Sequence, residues 1–187
     1  MAIPINIEDL LNKRKIESNR IEFKKGWNPD KIYRTICAFA NDFDNIGGGY
    51  IVVGIEEEER TGIAKRPVTG VPIEALNDIQ KDMVGYNNKI EPYYMPRIDV
   101  QEVDGKSVLV IWAPAGVNRP YNVRERVTAK QSPSKWYIRS GTSTIEAKGE
   151  VLDELREMAN RTPFDERGNE RIEISDISPA LVLDYLQ

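Results

Sequence analysis

The chain has 187 residues, 40% hydrophobic and 30% charged, with a formal net charge of −4, which is enough for one packed domain and an appendage. No apolar run reaches the ~20 residues that span a bilayer, and the N-terminal MAIPINIEDLLNKRK lacks a secretory signal's apolar core and cleavage site, so a cytoplasmic protein is expected. Histidine is absent and Cys37 is alone, which excludes Ser-His-Asp and Cys-His hydrolysis, histidine-ligated zinc and an internal disulfide.

Asn6 before Ile7, Leu10 and Leu11 predicts an N-capped amphipathic helix. In Ile21-Glu22-Phe23-Lys24 the alternation predicts a half-buried strand, with Ile21 and Phe23 inward and Glu22 and Lys24 sharing the other face. Asn28-Pro29 starts the next helix, which presents Ile32, Tyr33, Ile36, Cys37, Phe39 and Ala40 over one broad face. It ends near Asn41. Three glycines, Gly47 to Gly49, then turn the chain into a buried strand, Tyr50 to Val53.

A glycine run beside a strand invites comparison with a phosphate loop. Here the order is helix, glycines, strand, and no Gly-Lys-Ser/Thr follows, so the glycines are assigned to the turn and to close packing. The GTST at Gly141 to Thr144 likewise lacks the lysine. Pro72 opens a helix carrying Ile73, Leu76, Ile79 and Met83, and Glu91 to Pro96 is loop. Arg97 to Val103 and Lys106 to Trp112 flank Asp104-Gly105, the strongest hairpin signal in the chain. Arg124 to Ser134 is an exposed basic loop, Trp136 to Arg139 a strand, and Gly149 to Asn160 a helix. Residues 161–187 read as a linker or docking tail with a short helix over Ala180 to Leu186, leading to a region beyond this sequence.

Charge is unevenly placed. Residues 150–187 hold 4 Lys+Arg against 10 Asp+Glu, whereas Lys13 to Arg34 hold 8 against 3 and Arg119 to Lys148 hold 7 against 2. If folding brings the two basic stretches together, an acidic protein acquires a positive face; otherwise they are ordinary solvated charges. Candidate phosphate contacts are Lys24, Lys25, Arg119, Arg124, Arg126, Lys130, Lys135 and Arg139, with Tyr121, Trp136 and Tyr137 available for stacking. Glu17, Glu22 and one of Glu56 to Glu59 could gather as carboxylates around Mg²⁺ or Mn²⁺, or stand as three solvated glutamates. Five residues separate Glu17 from Glu22, so sharing a site requires a bend at Ser18 to Arg20.

Glu17-Ser18-Asn19-Arg20-Ile21-Glu22-Phe23-Lys24, Ala38-Phe39-Ala40-Asn41, Gly48 to Ile55 and Tyr137 to Thr144 occur in the order found in the Schlafen-type AlbA-like domain family, which the chain resembles over residues 10–160. The resemblance implies an α+β fold, a mixed β-sheet packed with helices in a two-layer sandwich, and a DNA-binding module of a bacterial transcriptional regulator. By similarity to the Schlafen nucleases, an alternative is metal-dependent RNA cleavage by Glu17, Glu22 and Glu57, with Mg or Mn as cofactor. On the binding reading no cofactor is required.

The sequence thus leads to a domain over 1–160 that contacts DNA or RNA mainly through the phosphate backbone, works as a homodimer and does not enter membranes. A protein-interaction or oligomerisation module is the remaining alternative.

Overall fold

A helix held between two β-sheets organises the chain, whose computed structural model describes residues 3–12, 18–58 and 60–158. The first sheet consists of β1 (Ile21–Lys24), β2 (Gly49–Val53), β4 (Arg97–Val103) and β5 (Lys106–Ala113), in the spatial order β1-β2-β5-β4. β1 runs parallel to β2, and the other pairs are antiparallel. The second sheet, wholly antiparallel, is β3 (Ile90–Glu91), β6 (Asn122–Arg124), β7 (Ser134–Ser140) and β8 (Ser143–Glu146) in chain order. Among the described residues four α-helices complete the fold: α1 (Ile7–Leu11), α2 (Pro29–Asn41), α3 (Ile73–Asn87) and α4 (Glu150–Met158).

This is the α+β class with a mixed sheet that the sequence indicates, extended by a separate second sheet. The addition changes the environment of α2. Instead of burying one broad face, α2 buries Ile32, Tyr33, Thr35 and every residue from Ile36 to Asn41, because sheets cover it from two sides. Its N-terminus is as read: the Asn28 side chain accepts the Lys31 N–H at 3.1 Å, and Pro29 takes the first helical position. Tyr33 donates its hydroxyl to Asn87 Oδ1 at 2.8 Å, fastening α2 to α3, and burial pushes that phenol well above its ordinary pKa.

The polar residue at the end of α2 is the fold's main junction. Asn41 is fully buried. Its amide nitrogen donates to the carbonyls of Tyr121 at 2.9 Å and Tyr137 at 2.8 Å, and its oxygen accepts the Tyr121 N–H at 2.7 Å. One side chain thereby satisfies three backbone groups of the second sheet that α2 would otherwise strand without water.

The next residue closes the turn. Asp42 adopts the left-handed conformation, φ 44°, and its carboxylate Oδ1 accepts N–H groups from Ile46, Gly47 and Gly48, each at 3.0 Å. The glycine-rich turn is therefore an anion nest already filled by the chain's own carboxylate, in agreement with its assignment as structural. Gly48 and Gly49 are also sterically dictated. A Cβ at Gly48 would lie 2.2 Å from the Ala113 carbonyl oxygen, and one at Gly49 2.3 Å from the Phe39 ring.

β2 is buried along its whole length, so its continuous apolar run packs on both faces. Ile51 and Val53 face α2, while Tyr50 and Val52 join Ile21, Phe23, Leu10 and Leu11 on the opposite side under α1. The predicted hairpin joins β4 to β5, with Asp104 and Gly105 both at positive φ. α4 covers the outer face of the second sheet through Leu155, packed with Ile138 and Ala147. Among the described residues no helix is long and apolar enough to cross a membrane. The tail 161–187 and its expected terminal helix lie outside the described residues.

Two outcomes follow for the core. Asn41→Ala is expected to lower unfolding free energy by about 3 kcal/mol, since it strands the buried Tyr121 N–H and Tyr137 carbonyl and leaves the Tyr121 carbonyl with a weak thiol donor alone, as measured by urea denaturation. Cys37 is fully buried, donates its thiol to the Tyr121 carbonyl at 3.3 Å, and burial pushes its pKa up to about 12. The native thiol should thus resist aromatic disulfide reagents at pH 8 and react on unfolding. Because the folded-state pKa is raised, the contribution is complete below the unfolded value near pH 9 and is lost as pH climbs toward 12. Wild type should accordingly lose more stability than Cys37→Ala between pH 8 and pH 10.5.

Candidate functional site

Glu22 and Lys24 alternate with the inward-facing Ile21 and Phe23 on β1, so both project on the α2 side of the first sheet. The bend that a shared site for Glu17 and Glu22 would require lies before β1 as a single 3-10 turn, Ser18–Arg20. Arg20 secures it by donating from Nε to the Gly48 carbonyl at 2.7 Å.

Arg139 arrives from β7 and is only 7% exposed. Its guanidinium donates to the Asn19 carbonyl at 3.2 Å, Glu22 Oε2 at 3.0 Å, Thr144 Oγ1 at 2.9 Å and the Thr142 carbonyl at 2.7 Å. It also lies 5.0 Å from the centre of the Phe39 ring. The other carboxylate oxygen of Glu22 accepts from Lys24 Nζ at 2.5 Å. One carboxylate thus joins a cation from each basic stretch, and the two stretches are brought together at this point.

Above this network opens a cleft of about 350 Å³. β1 contributes Glu22 and Lys24; α2 contributes Lys31, Arg34 and Thr35; the β7–β8 hairpin contributes Tyr137, Thr142, Ser143 and Thr144. Thr35 and Thr144 hydroxyls meet at 3.1 Å and tie the helix to the hairpin. Among the described residues Lys31 and Arg34 make no ion pair, and Arg34 Nε donates only to the Asp30 carbonyl, at 3.1 Å. Burial holds the Tyr137 phenol above its ordinary pKa against the pull of Arg34 and Lys135.

With Lys24, Lys31, Arg34 and the underlying Arg139 set against the one carboxylate of Glu22, the cleft is strongly cationic. Together with its hydroxyls it can accept a phosphate group by charge-assisted hydrogen bonds.

The other sequence-predicted cations are distributed differently. Lys25 is exposed and pairs with Glu56 at 3.5 Å. Arg119 donates to the carbonyls of Asn41 and Asp42 at 3.2 and 3.1 Å, at the C-terminal end of α2, where a cation complements the helix dipole. Arg124 donates to the Lys130 carbonyl at 3.1 Å. Lys135 lies between Glu125 at 2.7 Å and Glu146 at 3.3 Å. Arg126 and Lys130 are exposed on the β6–β7 connection, which touches the start of α2 where Asp30 accepts the Thr128 N–H at 3.0 Å. That connection also buries Val127 completely, so it is anchored at its centre.

Lys31 and Arg34 were not singled out by the sequence. Their three-residue spacing, with Thr35 beside them, does place all three on one helix flank, and that was the available signal.

Of the carboxylate trio, Glu17 lies outside the described residues. Glu57 is exposed and forms a bridge with Ala64. Both Glu22 oxygens are engaged by cations, and among the described residues no three metal-ligating side chains gather.

The profile of the Schlafen AlbA_2 family matches residues 17–148. The chain belongs to that family. The match begins at the turn before β1 and ends after β8, so it takes in every element that builds the cleft of this Schlafen AlbA_2 domain. No curated protein matches the chain.

Among solved structures, the chain is similar to the DIP2311 protein from Corynebacterium diphtheriae, with 20% identity, a TM-score of 0.51, and coverage of 88% of this chain and 32% of that one. That likeness concerns the fold, and the chain spans about a third of that protein's length. It is also similar to the N-terminal domain of a RecG-related protein from Nitrosomonas europaea, with 26% identity, a TM-score of 0.45, and coverage of 68% of this chain and 76% of that one.

The role of Arg139 is directly testable. Because it links the 3-10 turn, β1 and the hairpin by four hydrogen bonds, Arg139→Lys should lower stability by about 2 kcal/mol despite keeping the charge. Thermal melting would check this, and a melting temperature equal to wild type would show that the fork geometry is dispensable.

Proposed function

We propose that this Schlafen AlbA_2 domain is a nucleic-acid-binding module, with DNA as the preferred partner, in a bacterial transcriptional regulator that works as a homodimer. The observation that carries the reading is the convergence of Lys24, Lys31 and Arg34 on one hydroxyl-lined cleft that contains a single carboxylate. Such a surface suits the sugar-phosphate backbone and offers no helix for base reading. Arg126, Lys130 and Arg124 extend the contact along the neighbouring connection, and Lys25 along the end of β1. Arg119, Lys135 and Arg139, held by partners within the fold, shape the surface that the other cations present.

Binding of this kind is salt-dependent and weakly selective for sequence. Titration of labelled duplex DNA at several salt concentrations should give a log–log slope of about −3 per domain from the three cleft cations, made steeper by each further cation of the connection that engages a phosphate. Lys31→Ala and Arg34→Ala should each weaken binding uniformly across sequences and reduce the slope by about one. Affinity indifferent to salt, or unchanged in both variants, would remove the cleft from the interface.

The metal-dependent ribonuclease reading is addressed through the same side chain that neutralises Lys24. On the binding reading Glu22→Gln deletes the one negative charge in the cleft and should tighten nucleic-acid binding several-fold. Cleavage of structured RNA in Mn²⁺ by wild type, abolished in Glu22→Gln, would instead favour the nuclease with Glu17, Glu22 and Glu57.

A further inference from the structure

β4 closes one side of the first sheet, and although Arg97, Asp99 and Glu102 charge it, it lacks the other devices that usually prevent edge-to-edge pairing. It pairs with β5 through seven consecutive residues, Arg97 to Val103, without a bulge, and contains neither proline nor lysine. Its outward N–H groups can be identified. Val100 N–H donates to the half-buried carboxylate of Asp99 at 3.1 Å, so it points away from β5, and by alternation the amides of Ile98 and Glu102 do the same. Among the described residues no other backbone group hydrogen-bonds to this edge. Beside it are three exposed apolar side chains: Val100 at 39%, Met95 at 63% and Val84 at 69%. Val84 and Met95 also line an apolar groove of about 280 Å³ between α3 and the start of β4.

We infer that two copies of this chain pair antiparallel along β4, about a two-fold axis through Val100, to form one continuous eight-stranded sheet.

Self-complementarity selects this occupant and this register. Centred on Val100, the pairing sets Ile98 against Glu102, Asp99 against Gln101 and Arg97 against Val103 of the second copy, with no like charges opposed and an amide facing each Asp99 carboxylate. The outward-facing residues 98, 100 and 102 fall in hydrogen-bonded pairs, so every free donor and acceptor of the edge finds a partner. Sliding toward Ile98 brings Pro96, which has no N–H, against Val100. Sliding toward Glu102 sets that glutamate against its own copy. The local bond from Val100 N–H to Asp99 is exchanged for one between strands.

The axis is normal to the sheet, so α2, α3 and the cationic cleft of both copies lie on the same face. β1 is at the far side of each half, seven strand spacings from its counterpart, or about 34 Å at ~4.8 Å per strand. That separation matches one turn of B-form duplex, ~34–36 Å, so the dimer would present its two clefts to successive turns of one DNA face. This last consequence rests on the nucleic-acid reading, whereas the pairing itself does not.

Sedimentation equilibrium of the full chain tests the pairing. The expected mass is that of two 21.3 kDa chains, falling to one in Val100→Pro, since proline is tolerated on a strand edge but cannot donate across it. Should that variant lose its native circular dichroism, Ile98→Lys serves in its place, with the same halving expected. Val100→Cys should oxidise to a covalent dimer, because paired Cα atoms ~5.5 Å apart suit a disulfide, while Ile73→Cys, exposed elsewhere, should not.

A monomeric wild type at 100 µM, or dimers that persist in a folded Val100→Pro or Ile98→Lys, would overturn the proposal. A dimer abolished by these variants in a protein that ignores DNA would uphold the pairing and refute the nucleic-acid reading. Loss of pairing with DNA binding intact at the same salt slope would refute only the two-cleft arrangement.

Discussion

A buried guanidinium with a full set of acceptors constrains this domain more than any other group. Arg139 cannot be withdrawn from water unless its donors are met, and the groups that meet them come from the turn before β1, from β1 itself and from the β7–β8 hairpin. These segments are about 120 residues apart in the chain. The cleft takes its shape as these partners converge on the desolvated charge. Glu22 contributes twice, compensating Arg139 below and restraining Lys24 at the rim. Asn41 plays a similar part without charge, attaching the second sheet to the helix that faces the first. Two polar residues, both interior, therefore fix how the layers meet, while the aliphatic core supplies cohesion that is largely indifferent to orientation.

Much of the fold was legible because its signals are local. The Asn28-Pro29 start of α2, the Asp104-Gly105 hairpin, the alternation in β1 and the unbroken apolar run of β2 each depend on backbone preferences within a few residues, and each survives in the structure. Strand periodicity made a bend at Ser18 to Arg20 the condition for Glu17 to join Glu22, and a 3-10 turn lies there, while Glu17 itself lies outside the described residues. What escaped is non-local. A second sheet built from strands as short as two and three residues leaves a weak trace in the sequence, and without it α2 reads as covered on one face.

The site shows the same division. Counting lysines and arginines located two basic stretches, but a count does not reveal which cations are already committed. Lys135 is held by two carboxylates and Arg119 by two helix-terminal carbonyls, while Lys31 and Arg34, unremarkable in a solvated helix flank, line the cleft. Pairing is decided by tertiary contact, so charge composition alone cannot rank these residues. The GTST turn illustrates this from the other side. Rejected as a phosphate loop for want of its lysine, it nevertheless supplies hydroxyls to a cleft whose lysines come from β1 and α2.

The carboxylate of Asp42, seated among three glycine-turn amides, has a consequence for how the domain meets its ligands. Proteins that cradle phosphate in backbone N–H groups impose a rigid template, because amides in a nest cannot move independently. Here that template is occupied from within, so on the proposed nucleic-acid reading anion capture passes to long, rotatable side chains on separate elements. On that reading the surface follows the contour of the sugar-phosphate chain, so strands of different helical form would be accommodated by rotamer changes alone.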